Sequence, residues 1–175
     1  MKFLKPVLVL MFIISFIIFF PIIVDQITIT EGKPVSFNHA ILEPDEIILY
    51  SIDRLDPYNK NGQQIKSLWG WSFIGDASRQ EEFDIYLRLQ SDRKEYTYKT
   101  DILPRPALND AFPEVENDLT IAGFITYLAK EFISPGNYNI FLIYQNKDTG
   151  QAFFQQTNKV IIRTPNNISL DLKSN

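Results

Sequence analysis

Residues 7–24, from Val7 to Val24, read VLVLMFIISFIIFFPIIV, with no charge and with Ser15 as the one polar side chain. A helix of this run is about 27 Å long, close to the hydrocarbon thickness of a bilayer. A helix also satisfies its own backbone amides, which lipid requires. Lys2 and Lys5 precede the run and Asp25 comes after it. The positive-inside bias therefore sets the N-terminus in the cytoplasm and the rest of the chain outside. The alternative is a cleavable secretory signal, which needs small residues after the apolar core. Ile22, Ile23 and Val24 are bulky, so an uncleaved signal-anchor over residues 1–25 is expected, with the lipid bilayer as the partner of residues 7–24. With no cysteine after the run, a lipid-modified cysteine anchor is excluded. The expected location is the cytoplasmic membrane, single-pass, with the C-terminal domain outside.

Beyond the anchor the chain reads as one water-exposed domain. The chain has 175 residues and a formal net charge of −4. Without Lys2 and Lys5 it carries 15 basic against 21 acidic side chains, a mildly acidic balance. Nucleic acid, whose phosphates require a basic face, is excluded as a partner. The absence of cysteine removes disulfides and thiolate metal sites, and His39 is the lone histidine. No metal or other cofactor is expected, and packing alone must hold the domain.

The remainder is patterned for strands. Gln26–Thr30 and Val35–Asn38 alternate, and Asp45–Leu55 is apolar on both parities in its middle, which predicts a strand covered on both faces. Asp56–Gly62 (DPYNKNG) is dense in turn formers and predicts an exposed loop. In Ile65–Ile74, Trp69, Trp71 and Phe73 share one face and Leu68, Gly70, Ser72 and Ile74 the other. Gly70 leaves a flat spot where a ring or backbone can approach. Glu82–Leu89 points Phe83, Ile85, Leu87 and Leu89 inward. Ser91–Lys94 is a hairpin turn to a strand carrying Tyr96 and Tyr98. Pro104, Pro106 and Pro113 interrupt any ladder and predict a crossover between sheets, with one helical turn at Ala107–Phe112. Further strands are expected at Thr120–Leu128, Tyr138–Tyr144, Gln151–Gln155 and Lys159–Arg163, with a frayed polar tail over 165–175. Short strands at this spacing predict an all-β fold, an antiparallel β-sandwich over 26–164, with a closed barrel as the alternative.

Gly70-Trp71-Ser72-Phe73, Arg105-Pro106 with Ala111-Phe112-Pro113, Ala122-Gly123-Phe124 and Pro135-Gly136-Asn137-Tyr138 give the chain a resemblance. Over about residues 64–164 it resembles an Ig-like β-sandwich accessory module of bacterial envelope proteins, of the kind found beside or fused to glycosyltransferases. Pro106-Ala107-Leu108 stands where that module would have an aspartate. The resemblance implies an Ig-like fold in an accessory role and carries over no catalytic residue.

Three residues are candidates for binding. Trp69 could stack on a sugar ring or pack in the core, as Trp71 is expected to do. Arg105 has a planar fork suited to a carboxylate on a ligand, or to pinning its own loop through backbone carbonyls or Asp110. Asp53, Asp56, Asn59 and Asn61 lack the spacing of a calcium loop and read as a solvated turn. No nucleophile motif, metal-binding helix motif or phosphate loop is present. The chain is therefore expected to be a non-enzymatic, membrane-anchored accessory or interaction domain, serving envelope polysaccharide synthesis or export through a membrane protein partner. Its alternative is a carbohydrate-binding module gripping glycan through exposed aromatics.

Overall fold

A computed structural model describes residues 32–37, 41–42, 48–60, 63–75, 80–116 and 118–173. The expected anchor, the 26–30 strand and His39 lie outside the described residues. Among the described residues no helix is long and apolar enough to cross a membrane. Gly32–Asn175 forms one unit and is described by itself.

Among the described residues ten strands build two sheets. The larger has six strands: β5 (Glu95–Lys99), β4 (Phe83–Gln90), β8 (Gly136–Asn146) and β9 (Ala152–Arg163) lie side by side, and β1 (Ile41–Leu42) and β10 (Ile168–Leu172) both pair with β9. The smaller has four, in the order β2 (Ile48–Lys60), β3 (Gln63–Ile74), β7 (Gly123–Ala129), β6 (Asp101–Leu103). All pairings are antiparallel except that of the two-residue β1 with β9. This is a β-sandwich. Its core joins Ile52, Leu68, Phe124 and Leu128 of one sheet to Leu87, Leu89, Tyr138, Ile140 and Leu142 of the other. Apolar side chains on alternate positions of each strand account for it, since alternate positions share a face. Near one end the Tyr144 hydroxyl donates to Ser72 Oγ at 2.7 Å, a bond from one sheet to the other.

The pattern of β2 has a different cause from the one its sequence suggests. Ile52 pairs with Gly70 and Arg54 with Trp69, so Asp53 is an extra residue, a β-bulge. The bulge switches parity. Before it Ile48 and Ile52 face the core; after it Leu55 does. Apolar residues on both parities thus serve one face in succession, and Leu49 on the other face is exposed. The expected 56–62 loop is also corrected: β2 runs on through Asp56, Pro57 and Asn59 to Lys60. The strand is the edge of its sheet, where a proline removes no ladder bond on the open side.

Two more expectations change. The chain leaves the larger sheet at Thr100, before the prolines, where the Thr100 amide and hydroxyl both donate to the Ile85 carbonyl. The proline-rich stretch then joins β6 to β7, neighbours in one sheet, rather than crossing between sheets. It folds over the outer face of β3. Leu108 on the short helix α1 (Ala107–Ala111), with Phe112, Leu119 and Ala122, covers Phe73 and Trp71. Asn109 ties the stretch together: its Oδ1 accepts from the Leu119 amide at 2.7 Å, and its Nδ2 donates to Asp118 at 3.1 Å. The segment after Thr164 is not frayed but forms β10, because Ile168 and Leu170 alternate and reach the core.

Gly32 opens the described chain with φ of +73°, a conformation that glycine adopts without strain. Its carbonyl accepts from the Ala129 amide, and Val35 donates to the Thr97 carbonyl. The segment therefore touches β7 of one sheet and β5 of the other.

Candidate functional site

The outer face of the four-stranded sheet brings together two of the three candidate residues. Trp69 on β3 points outward and is half-buried. Its indole Nε1 donates to Ser67 Oγ at 3.0 Å, which fixes the ring along its own strand. The Arg54 guanidinium lies 4.7 Å from the ring centroid, in cation–π contact. Arg54 in turn donates to Asp56 Oδ2 at 2.6 Å. Beyond it, Tyr58 of β2 and Tyr127 of β7 meet with ring centroids 4.8 Å apart.

Arg105 enters the same face from the stretch after β6. Its Nη1 donates to Asp53 Oδ2 at 2.5 Å, and Ser51 Oγ donates to the other carboxylate oxygen at 2.9 Å. The bulge creates this partner, because the extra residue turns its side chain toward the arginine. Asp110 is exposed on α1, and the carboxylate that engages Arg105 is Asp53 instead. Trp71, expected in the core of the sandwich, lies instead on the outer face of β3, half-buried against Phe73 and Phe112 with ring centroids 5.7 and 5.4 Å away. Sequence reasoning misses Arg54 and reads Asp53 as part of a solvated turn, where the structure pairs it with Arg105. The break in β2 periodicity between Ile52 and Leu55 is the signal for the bulge that positions both.

Chemically this face offers half-exposed aromatic rings between two arginine–carboxylate pairs. Asp53 and Asp56, rather than lying free in a solvated turn, are both engaged by arginine. Arg105 and Asp53 keep side-chain exposures of 39% and 23%, so solvent screens the pair and its contribution to stability is small.

The larger sheet has its own surface feature. A pocket of about 180 Å³ is lined by Arg88, Gln90, Phe141, Ile143 and Phe154. Arg88 is largely engaged already, with Nε donating to Thr97 Oγ1 at 3.3 Å and Nη1 3.6 Å from Glu95. Beside the Ser91–Lys94 hairpin, Ser134 Oγ accepts from Lys94 Nζ at 2.6 Å and from the Tyr96 hydroxyl at 3.2 Å. Burial acts to raise the Tyr96 hydroxyl, but its bonds with Ser134 and Tyr138 and the charge of Lys94 together outweigh that and hold it below the ordinary tyrosine value. A hydroxyl that accepts from an exposed ammonium does not lose its proton to it, so this trio orders the loop. Comparison with known protein families, curated proteins and solved structures gives no match.

Proposed function

We propose that the chain is a single-pass, membrane-anchored interaction domain without catalytic activity. In this reading residues 7–24 hold it in the cytoplasmic membrane, and an Ig-like sandwich outside engages a membrane protein partner in envelope polysaccharide synthesis or export. The Ig-like assignment is supported by Tyr138. Its hydroxyl donates to the Ser134 carbonyl four residues upstream at 2.8 Å, the corner bond typical of such sandwiches.

The observation that carries the reading is the Trp69 face. Tryptophan, tyrosine and arginine are the residues that dominate protein–protein hot spots, and Trp69, Tyr58, Tyr127, Arg54 and Arg105 are grouped there. A protein partner fits it better than a glycan does. Stacking on a sugar needs a free ring face, whereas Arg54 covers one face of Trp69 and Ser67 takes its indole N–H.

The test is photo-crosslinking from position 54 in native membranes, alongside a glycan array probed with the detergent-solubilised full chain. A discrete protein adduct, lost when Trp69→Ala is introduced into a chain with unchanged circular dichroism, is the expected result. Glycan binding abolished by the same substitution would replace this reading with direct carbohydrate recognition.

A further inference from the structure

Charge is segregated along the length of the sandwich. The register places the 91–94 hairpin, the 130–136 connection, the start of β3 and the Gly32 segment at one end. That end carries Lys33, Lys66, Arg93, Lys94, Lys130 and Arg163, against Asp92, Glu95 and Glu131. The other end reverses the sign. Glu81, Glu82 and Asp84 lie where β4 begins, opposed by Lys99, 3.3 Å from Asp84, and by Lys147, which donates to the Glu81 carbonyl, while Glu114, Glu116 and Asp118 lie in the stretch that covers Phe73. In a domain that is acidic as a whole, this basic end stands out.

The described chain also begins at the basic end, at Gly32. Gly32 is held to Ala129 by the bond between its carbonyl and the Ala129 amide at 3.3 Å. A Cβ at Gly32 would lie 2.6 Å from that same nitrogen, so the attachment is close. Among the described residues, Gly32 is the nearest in sequence to the apolar run of residues 7–24, and it is fastened at this end.

We propose that this end is a docking surface for anionic phospholipid headgroups, on which the sandwich stands with its acidic end away from the bilayer. The inference rests on the anchored reading above and adds an orientation and a ligand class to it. Between the hairpin and the loop before β8 is a groove of about 470 Å³, lined by Ser91, Asp92, Arg93, Lys94, Pro135 and Tyr138. Arg93 and Lys94 present cationic donors to a headgroup phosphate there, and Asp92 opposes them at the rim. The attraction is of the kind that draws basic segments to anionic leaflets, and it acts within about a Debye length of the surface. The acidic end is repelled by the same field, so the two ends favour one orientation together.

The chain has no cysteine, so single labels can be introduced at Asn137→Cys, beside the groove, and at Asp148→Cys, at the acidic end. Each full-length chain is reconstituted into vesicles of phosphatidylcholine alone or mixed with phosphatidylglycerol. Label exposure is read with the neutral quencher acrylamide. The expected result is shielding at position 137 only in the phosphatidylglycerol vesicles, and an open label at 148 in both. Raised salt should abolish the shielding, and Arg93→Gln and Lys94→Gln should each lower the shielded-to-open ratio about fivefold. Equal quenching at 137 in both lipids, from a chain that floats with the vesicles, overturns the docking surface and leaves the anchor standing. A chain that floats with neither lipid overturns the anchor and the inference with it.

Discussion

Gly70 is the position where a single methyl group should do most damage. It lies at the centre of β3, between Trp69 and Trp71, and faces the core. A Cβ there would lie 2.6 Å from Cζ and 3.1 Å from Cε1 of Phe124, and it would also meet the Ser51 carbonyl oxygen of the neighbouring strand. Phe124 is fully buried in the main cluster, so its ring can retreat only by displacing other core side chains. Overpacking of this kind costs about 1–3 kcal/mol. The displaced Ser51 carbonyl belongs to the β2–β3 ladder, which places Gly70→Ala toward the top of that range. Against this, alanine reduces the freedom of the unfolded chain and returns about 0.4–1 kcal/mol. The net loss should be about 2 kcal/mol, or roughly 4–8 °C in Tm for a domain of this size. Urea unfolding of the full chain in detergent, monitored by tryptophan fluorescence, measures it. Phe124→Leu should partly relieve the clash, so the double variant should lose less than the two single losses added together. A Gly70→Ala chain as stable as the parent, or strict additivity in the double variant, would refute the close-approach argument.

Other substitutions test other parts of the structure. Tyr98 is 2% exposed, and among the described residues its hydroxyl has no hydrogen-bond partner, so Tyr98→Phe should be neutral or stabilise by about 1 kcal/mol in the same unfolding assay. Burial, with Tyr96 and Tyr138 nearby, pushes the Tyr98 hydroxyl far above the ordinary tyrosine value of 10.0. The unfolded chain then ionises first, so this group's contribution is intact below pH 10 and is lost as pH rises beyond it. An alkaline titration should show the last tyrosine ionising only as the fold opens, and smooth ionisation of every tyrosine in an intact fold would contradict it. Arg54→Ala should cost less than about 1 kcal/mol yet shift the Trp69 emission, since the guanidinium covers the ring but remains exposed. Deleting Asp53 should leave the β2–β3 pairing in place on both sides, because the residue is extra to the ladder, while freeing Arg105; loss of all structure on deletion would argue against the bulge.

Much of the sandwich is legible in the sequence because its strands alternate cleanly. In β4 the inward residues Ile85, Leu87 and Leu89 come directly from period two, and the glycine between the two tryptophans already indicates a close approach. The helical turn at α1 is visible between its flanking prolines. The hidden parts depend on tertiary pairing. Asp56, Pro57 and Asn59 have turn chemistry, but the long partner strand β3 and the meeting of Tyr58 with Tyr127 hold them extended. The prolines after Leu103 rule out a ladder without revealing that their stretch returns to a neighbouring strand. In the candidate site, Trp69 and Arg105 can be singled out by residue type, but their partners cannot. Arg54 reaches Trp69 across a strand pair, and Asp53 meets Arg105 across 52 residues of chain.

The way Gly32 and Val35 are fastened bears on how the domain responds to force. One bond runs to Ala129 on one sheet and the other to Thr97 on the opposite sheet. A pull applied at Gly32 would therefore load both sheets through these two bonds rather than one sheet alone.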